Sequence, residues 1–203
     1  VNDEGLSRRQ RQAAQTRQDI VDAARRLFAD RGYAGTSVAE IARAAEVSVQ
    51  TVYDSVGSKK ALLVAINDRL DEAAGVVEVL RGVREETDPL VLVAVPAAIT
   101  RRFLESGGDV VRASLAAAAS DADLASVYEE GLRRHRLGVG RLIRRIDEVG
   151  GLLPGLHRDE AADVASALTD TRVALVFLDG YEWDLDRWEA WVVRALRREL
   201  LGR

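Results

Sequence analysis

From Ile20 onward, apolar residues return every three or four positions, segment after segment, as far as Leu201. Ile20, Ala23, Ala24, Leu27 and Phe28 set the pattern, i, i+3, i+4, i+7 and i+8, which puts them on one face of an amphipathic helix. No segment shows a convincing strand. A chain patterned this way buries its stripes helix against helix, so the expectation is an all-α fold of about nine helices. Composition agrees where it bears on the point. With 47% apolar and 31% charged residues the chain suits a folded domain, and 5% aromatics with 3 prolines favour helix over sheet.

Caps and glycines mark the breaks. The first helix runs from about Gln15 to Arg31 and stops at Gly32. Ser37 caps a second, with Glu40 three residues on as a capping box, and turns Val38, Ile41, Ala42 and Ala45 inward. After a tight turn at Ala45-Glu46-Val47, Ser48 caps a third helix from Val49 to about Ser55. Ser58 caps a long fourth, Lys59 to about Arg81, with Leu62, Ile66, Leu70, Ala73, Val77 and Leu80 as its buried stripe. Asp88-Pro89 opens a fifth that reaches about Glu105, with a kink expected at Pro96. Past Gly107-Gly108 come an apolar helix from Asp109 to Ala119, a long one from Asp121 to about Glu148, and one from Asp159 to about Leu178. The last begins at Asp184 or Leu185 and ends near Leu201. The expected division is residues 1–60, a helix-turn-helix domain with 1–14 as a flexible basic arm, and residues 61–203, a larger helical bundle.

Several chemistries are excluded. The chain has no cysteine and only two histidines, His135 and His157, so thiolate and metal sites are not expected. Gly138-Val-Gly140 lacks the third glycine of a dinucleotide fingerprint, and no Gly-x-Ser-x-Gly element occurs. No enzyme activity and no cofactor are expected. No run of about 18 apolar residues suggests a membrane span, and the polar start lacks the apolar stretch of a signal peptide, so the expected location is the cytoplasm. The net charge of −4 is unevenly spread: residues 5–60 hold ten Lys/Arg against six Asp/Glu, and the excess from 61 onward is acidic. That asymmetry fits a polyanion-facing amino end, or an uneven scatter of solvated charges.

Three short helices within Ala23–Leu63, the second and third joined by a tight turn, follow the helix-turn-helix plan. In that plan the later helix enters a major groove about 12 Å wide. Small Ala42 and Ala45 let the two helices approach, and Val47 and Val52 fill the angle between them. Ser48, Gln50, Thr51, Asp54 and Ser55 then face outward, polar groups of the kind that meet base edges or phosphates. Arg8, Arg9 and Arg11 fit a solvated terminus and a DNA-tracking extension equally well.

The run Ile20-Val-Asp-Ala-Ala-Arg-Arg-Leu-Phe28, Gly32, Thr36-Ser-Val-Ala-Glu-Ile-Ala42, Val47-Ser48, Thr51-Val-Tyr53 and Gly57-Ser-Lys59-Lys-Ala-Leu62 resembles the DNA-binding domain of the TetR family of bacterial transcriptional regulators. The resemblance covers roughly Thr16 to Leu63. The stretch from Trp183 to Leu200 resembles, more loosely, an ending seen in many members. The resemblance implies a double-stranded operator as partner. It places Ser37, Thr51, Tyr53 and Lys59 against phosphates, and Gln50 at the bases, where its amide can pair with adenine. The chain departs from the family pattern at three places. Glu46 stands for the usual turn glycine, so either the turn differs or Glu46 takes a left-handed conformation. Asp54 and Ser55 replace an aromatic followed by histidine or tyrosine. Asp54 would accept from cytosine N4 or point away. Val56 replaces a common phenylalanine.

In the carboxyl-terminal part, the resemblance implies a small, apolar effector in a cavity among helices. Thr100, Phe103, Leu104, Ser114, Leu115, Tyr128, Leu132 and Phe177 are the candidates to face it. Two stripes look self-complementary: Ala161, Ala165, Leu168, Arg172 and Val176, and Trp188, Trp191, Val192, Ala195 and Leu196. Paired across a two-fold axis they would make a homodimer. The resulting expectation is a dimeric, ligand-responsive repressor on a pseudo-palindromic operator. The alternative is a helical interaction or small-molecule-binding protein whose DNA binding has degenerated.

Overall fold

The computed structural model describes residues 7–118 and 121–202, and every regular element among them is helical. The helices are α1 Arg8–Arg31, α2 Val38–Ala44, α3 Val49–Ser55, α4 Lys59–Ala73, α5 Val76–Gly82, α6 Pro89–Leu92, α7 Val95–Ala118, α8 Ala122–Glu148, α9 Arg158–Leu168, α10 Thr171–Gly180 and α11 Leu185–Leu196. A π-helical turn, Arg197–Leu201, follows. No described helix is long and apolar enough to cross a membrane. The described residues hold no cluster of acidic and imidazole groups able to bind a metal.

The chain forms two compact units. One takes the chain up to Arg69 together with Asp109–Tyr128, and the other takes Leu70–Gly108 with Glu129–Arg203. The division falls inside α4, between Arg69 and Leu70. Two ion pairs tie the first unit together: Arg69 to Asp22 at 2.6 Å and Arg25 to Asp109 at 3.5 Å. Its core is the face read from the sequence. Ile20, Ala23, Ala24 and Phe28 of α1 are buried with Ile41 of α2, Val52 of α3 and Leu62, Leu63 and Ile66 of α4.

Helix boundaries moved where local chemistry overrode the period. Of the arm expected over 1–14, residues 1–6 lie outside the described residues. From Arg8 on the arm is helix, because Ser7 accepts from the Gln10 N–H and the Gln10 side chain accepts from the Ser7 N–H. The long fourth helix ends at Ala73, since Gly75 takes a left-handed φ of 66° and restarts the helical phase. Val77, expected inside, is therefore 61% exposed, and Ala74 is buried instead of Ala73. The chain breaks between Leu92 and Val95, which leaves Pro96 in the first turn of α7, where its missing N–H costs nothing. Inside α7 the helix is interrupted at Gly107. A Cβ there would stand 2.5 Å from Leu70 Cδ2, so any larger residue would have to displace the Leu70 side chain.

The helix expected over 159–178 is two helices. The Thr169 hydroxyl donates to the Ala165 carbonyl at 2.7 Å, and Asp170 caps α10 through the Arg172 N–H at 2.7 Å. In this second unit α9, α10 and α11 pack on one another. Arg101 of α7 pairs with Glu105 at 2.8 Å, with Glu189 of α11 at 2.9 Å, and with Asp186.

Candidate nucleic-acid interface

The α2–α3 turn sets the tilt of α3. Ala45 ends α2, and the Val47 N–H donates to the Ala42 carbonyl at 2.9 Å while the Glu46 N–H donates to the Arg43 carbonyl at 3.2 Å. This is the two-bond Schellman stop, whose middle residue must be left-handed. Glu46 fills that place with φ 55°, so of the two readings open for this residue the strained one holds. A left-handed non-glycine residue costs about 1–2 kcal/mol, and glycine gives part of that back in unfolded-state entropy. Glu46→Gly is therefore expected to stabilise the protein by about 0.5–1 kcal/mol. A thermal melt checks it, and an unchanged or lowered midpoint would contradict strain at this turn.

Side chains at the start of α2 are already engaged with one another. The Ser37 N–H and hydroxyl both donate to Glu40 Oε2 at 2.8 Å, and the Glu40 N–H donates to Ser37 Oγ at 3.2 Å. The Ser37 backbone N–H, then its hydroxyl, hold the Glu40 carboxyl below the usual carboxylate range, with Arg31 and Arg43 adding to the effect. Arg31 Nη1 reaches Glu40 Oε1 at 3.0 Å. On α3, Ser48 Oγ accepts from the Thr51 N–H at 3.0 Å and pairs with the Thr51 hydroxyl at 2.8 Å.

With Val52 fully buried, the opposite face of α3 is a continuous stripe of Val49, Gln50, Tyr53 and Asp54. Val49 is 40% and Tyr53 48% exposed. Gln50 Nε2 donates to Asp54 Oδ1 at 2.8 Å, one helical turn on. Of the residues expected at DNA, Ser37, Ser48, Gln50, Tyr53 and Asp54 are exposed, while Thr51, Ser55 and Lys59 are half-buried. Lys59 Nζ lies 4.1 Å from the Tyr33 ring centre, and that ring packs on Phe28 at 5.1 Å. Two contributors escaped the sequence reading. Val49 is one, although its place one helical turn before Tyr53, beside Gln50, was available as a signal. Arg17 is the other. Its Nη1 donates to the Ser55 carbonyl at 2.5 Å, tying α1 to the end of α3 from 38 residues away, and no local pattern announces that.

The effector candidates fall in both units: Thr100, Phe103, Leu104, Leu132 and Phe177 in the second, Ser114, Leu115 and Tyr128 in the first. Thr100 is buried, and its hydroxyl donates to the Thr169 carbonyl at 2.7 Å, so it is not a spare handle. Thr169 also pairs with His135 Nε2 at 3.1 Å. Burial pushes the His135 pKa down, against the Ser166 backbone and Asp170, which push it up. Phe177 sits elsewhere in that unit, 4.8 Å from both Trp183 and Trp191 and 6.0 Å from Tyr181.

The dimer stripes need correction. Ala161, Ala165, Trp188 and Val192 are at most 1% exposed within one chain, so they offer no area to a second copy. Packing of α11 against α9 covers them. Among the residues that α10, α11 and the turn between them leave outward are Val176 at 55% exposure, Tyr181 at 65%, exposed Arg172, and half-buried Phe177, Trp183, Trp191 and Ala195. Leu168 is also half-buried. Arg187 stacks 4.2 Å over the Trp183 ring.

Residues 20–66 match the family model of bacterial regulatory proteins, tetR family. A search of curated proteins finds no relative by sequence. Among solved structures, a Saccharomonospora viridis protein in complex with choline superposes with TM-score 0.72 and 19% identity, over 94% of this chain and 100% of that one. FadR, a transcriptional regulator from Bacillus subtilis in complex with stearoyl-CoA, superposes with TM-score 0.71 and 18% identity, over 90% and 98%. FadR from Bacillus halodurans, a fatty acid degradation regulator, gives 0.69 and 21%, over 89% and 93%. At such identities the likeness establishes the fold.

Proposed function

We infer that this chain, whose residues 20–66 match the family model of bacterial regulatory proteins, tetR family, is a ligand-responsive transcriptional repressor acting as a homodimer. One observation carries the reading. The outward face of α3 is clear of the core along its whole length, and it is held at a defined tilt by the Schellman turn and the Ser48 cap. Each subunit lays α3 in one major-groove half-site of a pseudo-palindromic operator, the half-sites a helical turn or more apart. Lys59, Thr51 and Tyr53 meet phosphates around it, and Gln50 meets the bases.

A small, apolar effector binds among the helices that follow the DNA-binding segment; two similarly folded proteins are in complex with small molecules, stearoyl-CoA and choline. It acts by preferring subunit geometries that do not fit both half-sites, a coupling of about 1–3 kcal/mol. The competing reading, a helical binding protein that no longer grips DNA, draws on the carboxylate of Asp54 on the exposed stripe. Selection of bound fragments from genomic DNA separates the two: enrichment of a two-fold symmetric sequence supports the repressor, and no enrichment supports the rival.

Lys59→Ala is expected to weaken binding to all duplexes alike and to reduce the slope of log K against log salt by about 1. A slope equal to that of the parent protein would remove Lys59 from the phosphate contacts.

A further inference from the structure

We propose that Asp54 is a specificity-determining positioning residue: through its hydrogen bond it sets the Gln50 amide to read adenine and reject guanine, with Val49 beside it against a thymine methyl. The proposal rests on α3 being the DNA-reading helix.

The observation is the 2.8 Å bond from Gln50 Nε2 to Asp54 Oδ1, between two exposed residues on the same stripe. A carboxylate has only acceptors to offer, so it draws the amide nitrogen toward itself and turns Oε1 away. Pairing with adenine uses Oε1 and one N–H side by side, to N6 and N7. The amide has two N–H groups, so one can go to Asp54 while the other serves that pairing. Guanine presents two acceptors, O6 and N7. It would need the amide turned about, with Oε1 facing the Asp54 carboxylate, which repels it. Asp54 therefore fixes a choice that a free glutamine leaves open. Val49, exposed one residue before Gln50, supplies an apolar surface of the kind that packs on the C5 methyl of thymine. The pair also accounts for an acidic residue on a surface that faces phosphates, because its charge is directed to a neighbouring amide.

The test uses the full chain. Duplexes selected by the parent protein locate the A·T pair read by Gln50, and dissociation constants are then measured for that duplex and for its A·T→G·C variant. The parent is expected to prefer A·T roughly tenfold or more. Asp54→Asn loses the charge and gains an N–H that can hold Gln50 Oε1 as well, so it should bind both duplexes more tightly and lose most of the preference. Asp54→Ala should bring the preference close to one, Gln50→Ala should do the same, and the double variant should lose nothing further. Circular dichroism checks that each variant is folded. Retention of the preference in Asp54→Ala overturns the proposal. So does a preference for C·G that vanishes in Asp54→Asn, since Asp54 would then read cytosine itself. If the parent enriches no sequence and its binding does not depend on salt, it is the DNA-reading role of α3 that fails.

Discussion

Val176→Glu is expected to leave the chain folded but monomeric by light scattering at micromolar concentration, with operator affinity down about a hundredfold or more. Val176 is 55% exposed on α10, next in sequence to Phe177, whose ring meets Tyr181, Trp183 and Trp191. Such an apolar, aromatic face is costly to leave in water, and Trp and Tyr dominate binding hot spots. A carboxylate placed in its middle would have to be desolvated on association without a partner, which costs several kcal/mol at about the scale of a dimer's margin. The monomer is spared because Val176 makes no buried contribution to its own core. The loss at DNA follows from geometry. Two linked half-site contacts gain about 10²–10⁴ over one, and a monomer forfeits that gain without any change in α3. Unaltered helicity, halved mass and weakened operator binding together are the expected result. A dimeric variant would show that this face is not the interface, and a monomeric parent would remove the dimer altogether.

Phe28→Ala is expected to cost about 3–5 kcal/mol and to abolish DNA binding by unfolding the amino-terminal helices. Phe28 is 1% exposed, on the face of α1 shared with Ile20, Ala23 and Ala24, and its ring packs on buried Tyr33. Truncation leaves a cavity that rigid helix neighbours close poorly. The damage also reaches the surface, since Tyr33 lies between Phe28 and Lys59. With each kcal/mol worth about 2–8 °C in midpoint, depending on domain size, a fall of about six degrees or more is the expected melt. A fall of only one or two degrees would mean that the α1–α3 core rests on other side chains. Phe28→Leu, which keeps most of the volume, should recover much of the loss.

The capping residues were legible because a cap is a local event. Ser37 with Glu40, Ser48, Asp88 before Pro89 and Asp184 all bond to N–H groups two or three residues away, and each stands where its type and spacing placed it. The left-handed Glu46 was legible as one of two alternatives for the same reason. Period alone misled where a single residue reset the helical phase. Gly75 turned Val77 outward, and Asp170 with Thr169 cut one expected helix into two.

The dimer stripes show the limit of pattern reading from another side. A stripe of Ala161, Ala165, Trp188 and Val192 says that a face is to be covered, without saying by what. In this chain α9 and α11 cover each other, and the outward aromatic set lies around Phe177. The effector candidates fare the same way, since Thr100 had the right polarity but its hydroxyl is taken by the Thr169 carbonyl.

What the amino-acid order alone settled is therefore the helical class, the helix-turn-helix near the amino end and most of its caps, because these depend on spacings of three and four residues and on bonds within one turn. What only the packed molecule decided is which neighbour each apolar face meets and how the α3 side chains are held. Arg17 on the Ser55 carbonyl and Lys59 over Tyr33 bridge residues far apart in the chain. Their distance in space is set by every helix packed between them.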